Sequence, residues 1–70
     1  MTRILESKEF CEIACQVRVI TDRAILVHDG TREAWIPRSQ IEDPDPDDLE
    51  IGQHITLLIP EWIAKEKGLI

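Results

Sequence analysis

From Phe10 to Ile20 the chain alternates: Cys11, Ile13, Cys15, Val17 and Val19 fall on one side, and Glu12, Gln16 and Arg18 on the other, with Ala14 neutral between them. That two-residue period marks a strand buried on one face and wet on the other. The β-branched residues at its end favour the same reading. A helix over residues 7–16 is the rival, because Phe10, Ile13, Ala14 and Val17 also match spacings of three and four. The alternation is longer, so the strand is preferred. It commits the chain to a sheet with one apolar face.

The following segments supply partners for that strand. Thr21-Asp22-Arg23 is short and polar, and Ala24 to His28 reads as the return strand of a hairpin. Asp29-Gly30 is the strongest turn signal in the chain. Arg32 to Ile36 forms a third strand, with Ala34 and Ile36 on one face and Glu33 and Trp35 on the other. Pro37 cannot donate to a ladder, so that strand ends there or lies on an edge. Arg38 to Ile41 reads as a single turn, with Ile41 tucked back. A last strand runs from Gln53 to Ile59 after Gly52. Pro60 to Lys67 reads as a helix, with proline at its first position, Glu61 at the positive end of its dipole, Lys65 and Lys67 at the negative end, and Gly68 just past it. Trp62 and Ile63 form its expected apolar face, and Leu69 packs back on Ile63 or Ala64. Met1 to Glu9 has no clear period and fits a short strand, a helical turn or a frayed end.

The fold class is therefore mainly β (α+β). We expect a small curled antiparallel sheet or an SH3-like barrel of four to five strands, closed by a short C-terminal helix over 60–67. At 70 residues this is one domain, 1–70, with no room for a second or for a deep catalytic cleft.

Between the third strand and the last lies the charge. Glu42, Asp43, Asp45, Asp47, Asp48 and Glu50 have no base among them, while the other eight acids balance the eight bases. The whole net charge of −6 thus belongs to this acidic loop, 42–50. In Asp43-Pro44-Asp45-Pro46-Asp47 each proline follows an aspartate and pushes it toward extended angles. A stretched, helix-free loop is expected, anchored at its far end by Leu49 and Ile51. So acidic a chain is repelled by nucleic acid and by anionic lipid. A basic protein surface is the expected partner; direct nucleic-acid binding is disfavoured.

Cys11 and Cys15 on one strand stand ~13 Å apart at the strand rise. That is beyond disulfide reach, so free thiols and a reducing compartment are expected. No signal-peptide pattern or membrane span is legible, so a soluble cytoplasmic protein without a membrane partner is expected. Cys11, Cys15, His28 and His54 could make a zinc set, but a strand parts the sulfurs and the histidines are far apart in sequence. Asp43, Asp45 and Asp47 alternate as in calcium loops, yet Asp48 stands where glycine is needed and His54 where glutamate is needed. No metal or cofactor is therefore expected. Ser39 lacks a neighbouring histidine or a glycine elbow, and neither cysteine has an evident base; no catalytic residue is assigned. Trp35 and Trp62 are expected to serve mainly as core, since so small a domain has few large side chains. Trp35 shares a face with Glu33, which favours partial exposure. With Arg38, which could stack on it or form a rim contact, Trp35 joins the acidic residues as a candidate partner-binding surface.

Three segments carry a resemblance: Arg23-Ala24-Ile25-Leu26-Val27, Glu33-Ala34-Trp35-Ile36-Pro37-Arg38-Ser39-Gln40-Ile41, and Ile59-Pro60-Glu61-Trp62-Ile63-Ala64-Lys65-Glu66-Lys67-Gly68-Leu69. Together they resemble small uncharacterised phage or prophage proteins. The resemblance attaches no activity to any residue and implies a phage or mobile-element source. Small acidic proteins of that origin often inhibit host enzymes or defence systems, anti-CRISPR proteins among them. The expected function is thus non-enzymatic protein binding through the acidic loop. The alternative is an accessory module that binds through a sheet edge or the Trp35 patch.

Overall fold

The computed structural model describes residues 2–4 and 10–70. In chain order the elements are β1 (Thr2–Ile4), β2 (Phe10–Ile20), β3 (Ala24–His28), β4 (Glu33–Pro37), β5 (His54–Pro60) and α1 (Glu61–Glu66), with 3₁₀ turns at Arg38–Gln40 and Pro46–Asp48. All pairings are antiparallel, and β2 is the hub. Residues 10–16 of β2 pair with β5, 11–13 with β1, and the far end with β3, which pairs in turn with β4. The protein is mainly β with one short C-terminal helix. The sheet is curled but open: among the described residues no pairing joins β4 to β1 or β5. The rival helix over 7–16 gives way to strand from Phe10 on; its start, like residues 1 and 5–9 of the N-terminal segment, lies outside the described residues. Thr2–Ile4 is a short strand.

The alternation of β2 builds the core as expected up to Val17. Cys11, Ile13, Cys15 and Val17 are buried, and both thiols are free. They meet Ile25 and Val27 of β3, Ala34 and Ile36 of β4, and Leu57 and Ile59 of β5 in one cluster. Val19 departs from the pattern. The β2–β3 register slips between Val17 and Val19; a bulge of one residue swaps the two faces of the strand beyond it. Val19 therefore points outward, and Ile20, opposite the buried Ile25, packs against the core in its place.

The two tight turns are held by side chains. Thr21 Oγ1 accepts from the Ala24 N–H at 3.1 Å in the β2–β3 turn. In the β3–β4 turn the Asp29 carboxylate accepts from the N–H groups of Thr31 and Arg32, both at 2.9 Å, and Gly30 takes the positive φ that the turn requires.

The helix begins one residue later than its sequence pattern suggests. Pro60 closes β5 in an extended conformation and occupies the cap position, so Glu61 is the first helical residue. The C-terminus is a Schellman motif: Leu69 N–H donates to Ala64 C=O at 2.8 Å, Gly68 N–H to Lys65 C=O at 3.1 Å, and Gly68 carries φ 73°. Ile63, Ala64 and Leu69 are buried on the sheet. Trp62 is not: the inward face of this short helix is filled by those three residues, and its ring is 60% exposed. Trp35, 43% exposed, likewise lies outside the core, because Ala34 and Ile36 take the inward positions of β4. Both tryptophans thus correct the expectation of core packing. Aliphatic residues of ordinary size fill the interior instead.

Candidate functional site

The acidic segment is a strap rather than a free arm. After β4 the 3₁₀ turn Arg38–Gln40 sends Ile41 into the core. Glu42 N–H then donates to Leu58 C=O, and Leu58 N–H to Asp43 C=O, each at 2.8 Å. These bonds attach the strap to the edge of β5 that β2 leaves free. Farther on, Leu49 is buried as expected, but Ile51 is 67% exposed and anchors nothing. Gly52 and Gln53 rejoin the sheet by bonds with Val17, where Gly52 N–H donates at 2.7 Å.

The middle of the strap also departs from the stretched form. Pro46–Asp48 is a 3₁₀ turn. The pre-proline rule holds for Asp45, which is extended at ψ 123°, but it does not restrain the residues after Pro46. There the Asp45 carboxylate accepts from the Asp47 N–H at 3.0 Å and closes the turn. The Asp43–Pro44 peptide is cis.

All six carboxylate residues, Glu42, Asp43, Asp45, Asp47, Asp48 and Glu50, stay exposed. Two of them have work within the fold. Asp45 caps the turn, and Asp47 Oδ1 accepts from Arg38 Nη2. Arg38 donates its other guanidinium nitrogen to Thr21 C=O at 3.0 Å, and its backbone N–H to Arg23 C=O at 2.9 Å. Arg38 therefore clasps the strap to the β2–β3 turn, and its charge is met inside the molecule. Asp45 and Asp47 thus turn their carboxylates to different partners.

The structure does not bring Trp35 to the strap. Ile41 and Leu49 enter the core from the inner face of the sheet, whereas Trp35 stands on the outer face. There it joins two residues that sequence reasoning missed as a surface. Leu26 is opposite Trp35 on β3, and Val19 is opposite Leu26 on β2. The three make an apolar row across the outer face, with Val19 and Trp35 exposed. The signal was hidden, since Val19 turns outward only through the bulge and Leu26 lies inside an unbroken apolar run.

A hollow of about 440 Å³ opens where β2, β3 and β5 meet, lined among others by Cys15, His28, Asp29 and His54. The register explains the gathering: Gln16 pairs with His28 on one side and His54 on the other. Cys15, the next residue, faces the core. Among the described residues no three Cys, His, Asp or Glu side chains are placed to share a metal ion. Burial pushes the Cys15 thiol up to about 11, with the Asp29 carboxylate adding to the rise. It is held protonated, the reverse of an activated nucleophile. Among the described residues no helix is long and apolar enough to cross a membrane.

No protein-family model matches the chain, and neither a curated protein nor a solved structure matches it.

Proposed function

We propose that this protein is a non-enzymatic binding module whose acidic strap engages a basic surface on another protein. The observation that carries this reading is the pairing of anchorage with exposure. The strap is tied down at Ile41, Leu49, the Leu58 bridge and Arg38, while its six carboxylate residues remain in solvent. A pre-shaped row of charge loses little freedom on binding. It also steers a cationic partner at long range and speeds encounter at low salt. Carboxylates in a row present a charge pattern similar to a short phosphate run. An inhibitor of a nucleic-acid-handling or host-defence protein is therefore the version that suits both the strap and the likeness to phage proteins, with the host cytoplasm as its setting.

The test is a variant that removes charge and spares the fold. Glu42→Gln, Asp43→Asn, Asp48→Asn and Glu50→Gln together leave Asp45 at the turn and Asp47 on Arg38. Affinity for a partner captured from the source cell should fall at least tenfold, and binding of the native protein should weaken steeply with salt. Unchanged affinity in the variant would move the binding function to the outer face. That second reading, an accessory module acting through the Trp35 surface, is favoured by the exposure of Trp35 beside Leu26 and Val19. Affinity for DNA or RNA in a gel-shift assay would contradict both.

A further inference from the structure

β4 is an edge strand whose free side can be read group by group. In the β3–β4 ladder Asp29 N–H donates to Arg32 C=O at 3.1 Å, and Arg38 N–H donates to Arg23 C=O at 2.9 Å. Bonded pairs alternate with non-bonded ones along an antiparallel ladder. With Ala24 opposite Pro37 and His28 opposite Glu33, Ala34 and Ile36 must spend their backbone groups on β3. The N–H and C=O groups of Glu33 and Trp35, and the C=O of Pro37, therefore point away from the sheet. Among the described residues no strand takes them.

We propose that this edge pairs with the same edge of a second copy, antiparallel, with Trp35 on the two-fold axis. In that register Trp35 exchanges both backbone bonds with its counterpart. Glu33 N–H donates to the Pro37 C=O of the second copy; proline has no N–H to return the bond, so the Glu33 C=O is left to solvent. Glu33 stands opposite proline, so no carboxylate faces a carboxylate. On the outer face each row of Val19, Leu26 and Trp35 continues into the other, and the exposed indoles meet at the centre. An aromatic cross-strand pair of this kind is a favourable contact. Charge does not oppose the pairing. The exposed Arg32 comes opposite the other copy's Arg38, but the Arg38 charge is met by Asp47 and the Arg32 guanidinium lies toward Gly68 of its own chain. The contact is isologous and closes on itself. It consumes the free edge at β4, and the strap bridges the free edge of β5.

The full chain tests this by sedimentation velocity over a concentration series. A reversible monomer–dimer equilibrium is expected, since an interface of one short strand and its row of side chains is small. Trp35→Lys should weaken dimerisation at least tenfold with an unchanged far-UV circular dichroism spectrum. Thr56→Lys, on the outer face of β5, should leave dimerisation as it was. The register has its own readout. Residues in a bonded antiparallel pair have Cα atoms ~5.5 Å apart, within disulfide reach. Mild oxidation of Trp35→Cys should yield a covalent dimer, and Thr56→Cys should not. A native protein still monomeric at about 1 mM, dimers indifferent to Trp35→Lys, or a Trp35→Cys protein that does not cross-link would each overturn the proposal.

Discussion

Trp62 and Ile63 are neighbours in sequence and opposites in environment. Ile63 is 2% exposed and seats the helix on the sheet; the Trp62 ring lies outside. Ile63→Ala leaves a hole in a closed aliphatic cluster and should cost about 2–5 kcal/mol. Trp62→Ala should cost under about 1 kcal/mol, as surface truncations do. Urea midpoints of the two variants check this, and a larger loss for Trp62→Ala would show that its ring covers core atoms. The thiols make a second residue-scale case. Burial raises both Cys11 and Cys15, the latter from an ordinary 9.0 to about 11. Above pH 9 the unfolded chain releases thiol protons that the folded chain keeps, so it binds fewer protons and stability declines as pH rises. The contribution is whole below about 9 and is lost progressively toward about 11. Urea midpoints should fall across that interval for the native chain and fall less for Cys15→Ala measured against its own value at neutral pH. A native midpoint that stays flat would contradict the burial argument.

At the scale of elements, what the sequence shows and what it hides divide on physical lines. Period two along β2 as far as Val17, and along β4, exposes their inward faces, because a strand half in water must alternate; the apolar run of β3 hides which of its faces is inward. Framing by Pro60 and Gly68 exposes the helix to within a residue at each end, where cap and helical positions blur. The bulge after Val17 is invisible, since it depends on how β3 feeds into the hairpin and not on any turn residue. The fate of Trp62 is hidden for a similar reason, because a helix of six residues leaves several choices of inward face. Gly68 offers a test of the helix end. Its φ of 73° is strained for any residue with a Cβ, and an added Cβ would also collide with the Arg32 guanidinium. The side-chain clash is cheap to relieve, because Arg32 is flexible at its tip. The backbone strain remains, and Gly68→Ala should cost about 1–2 kcal/mol. Pairing it with Arg32→Ala separates the two. If the double variant recovers nearly all the loss, the clash and not the left-handed backbone is the cause.

Over the whole molecule, an aliphatic core on the inner face of the sheet is covered by α1 and by a strap that carries all the net charge. The acidic composition of the strap is plain in the sequence. Its attachment is not, because the Leu58 bridge and the Arg38 clasp join residues that share no local pattern. The strap is held by few contacts: Ile41, Leu49, the bridge to β5 and the Arg38–Asp47 pair. β2, by contrast, is paired along both sides. Regions held by few buried contacts open on their own, below the energy of global unfolding. Native-state hydrogen exchange should therefore find the amides of Glu42, Asp48 and Leu49, which are bonded within or to the strap, exchanging well before those of Ile13 and Leu57. Arg38→Ala removes the clasp and leaves the core untouched, so it should speed the strap amides severalfold and leave the β2–β5 amides unchanged. The ion pair is largely exposed on its Asp47 side, so its effect on global stability should stay within about 1 kcal/mol. Strap and sheet amides that exchange together in the native chain, and slow or quicken together in Arg38→Ala, would mean that the strap unfolds only with the core, and that its carboxylates are held as rigidly as the sheet itself.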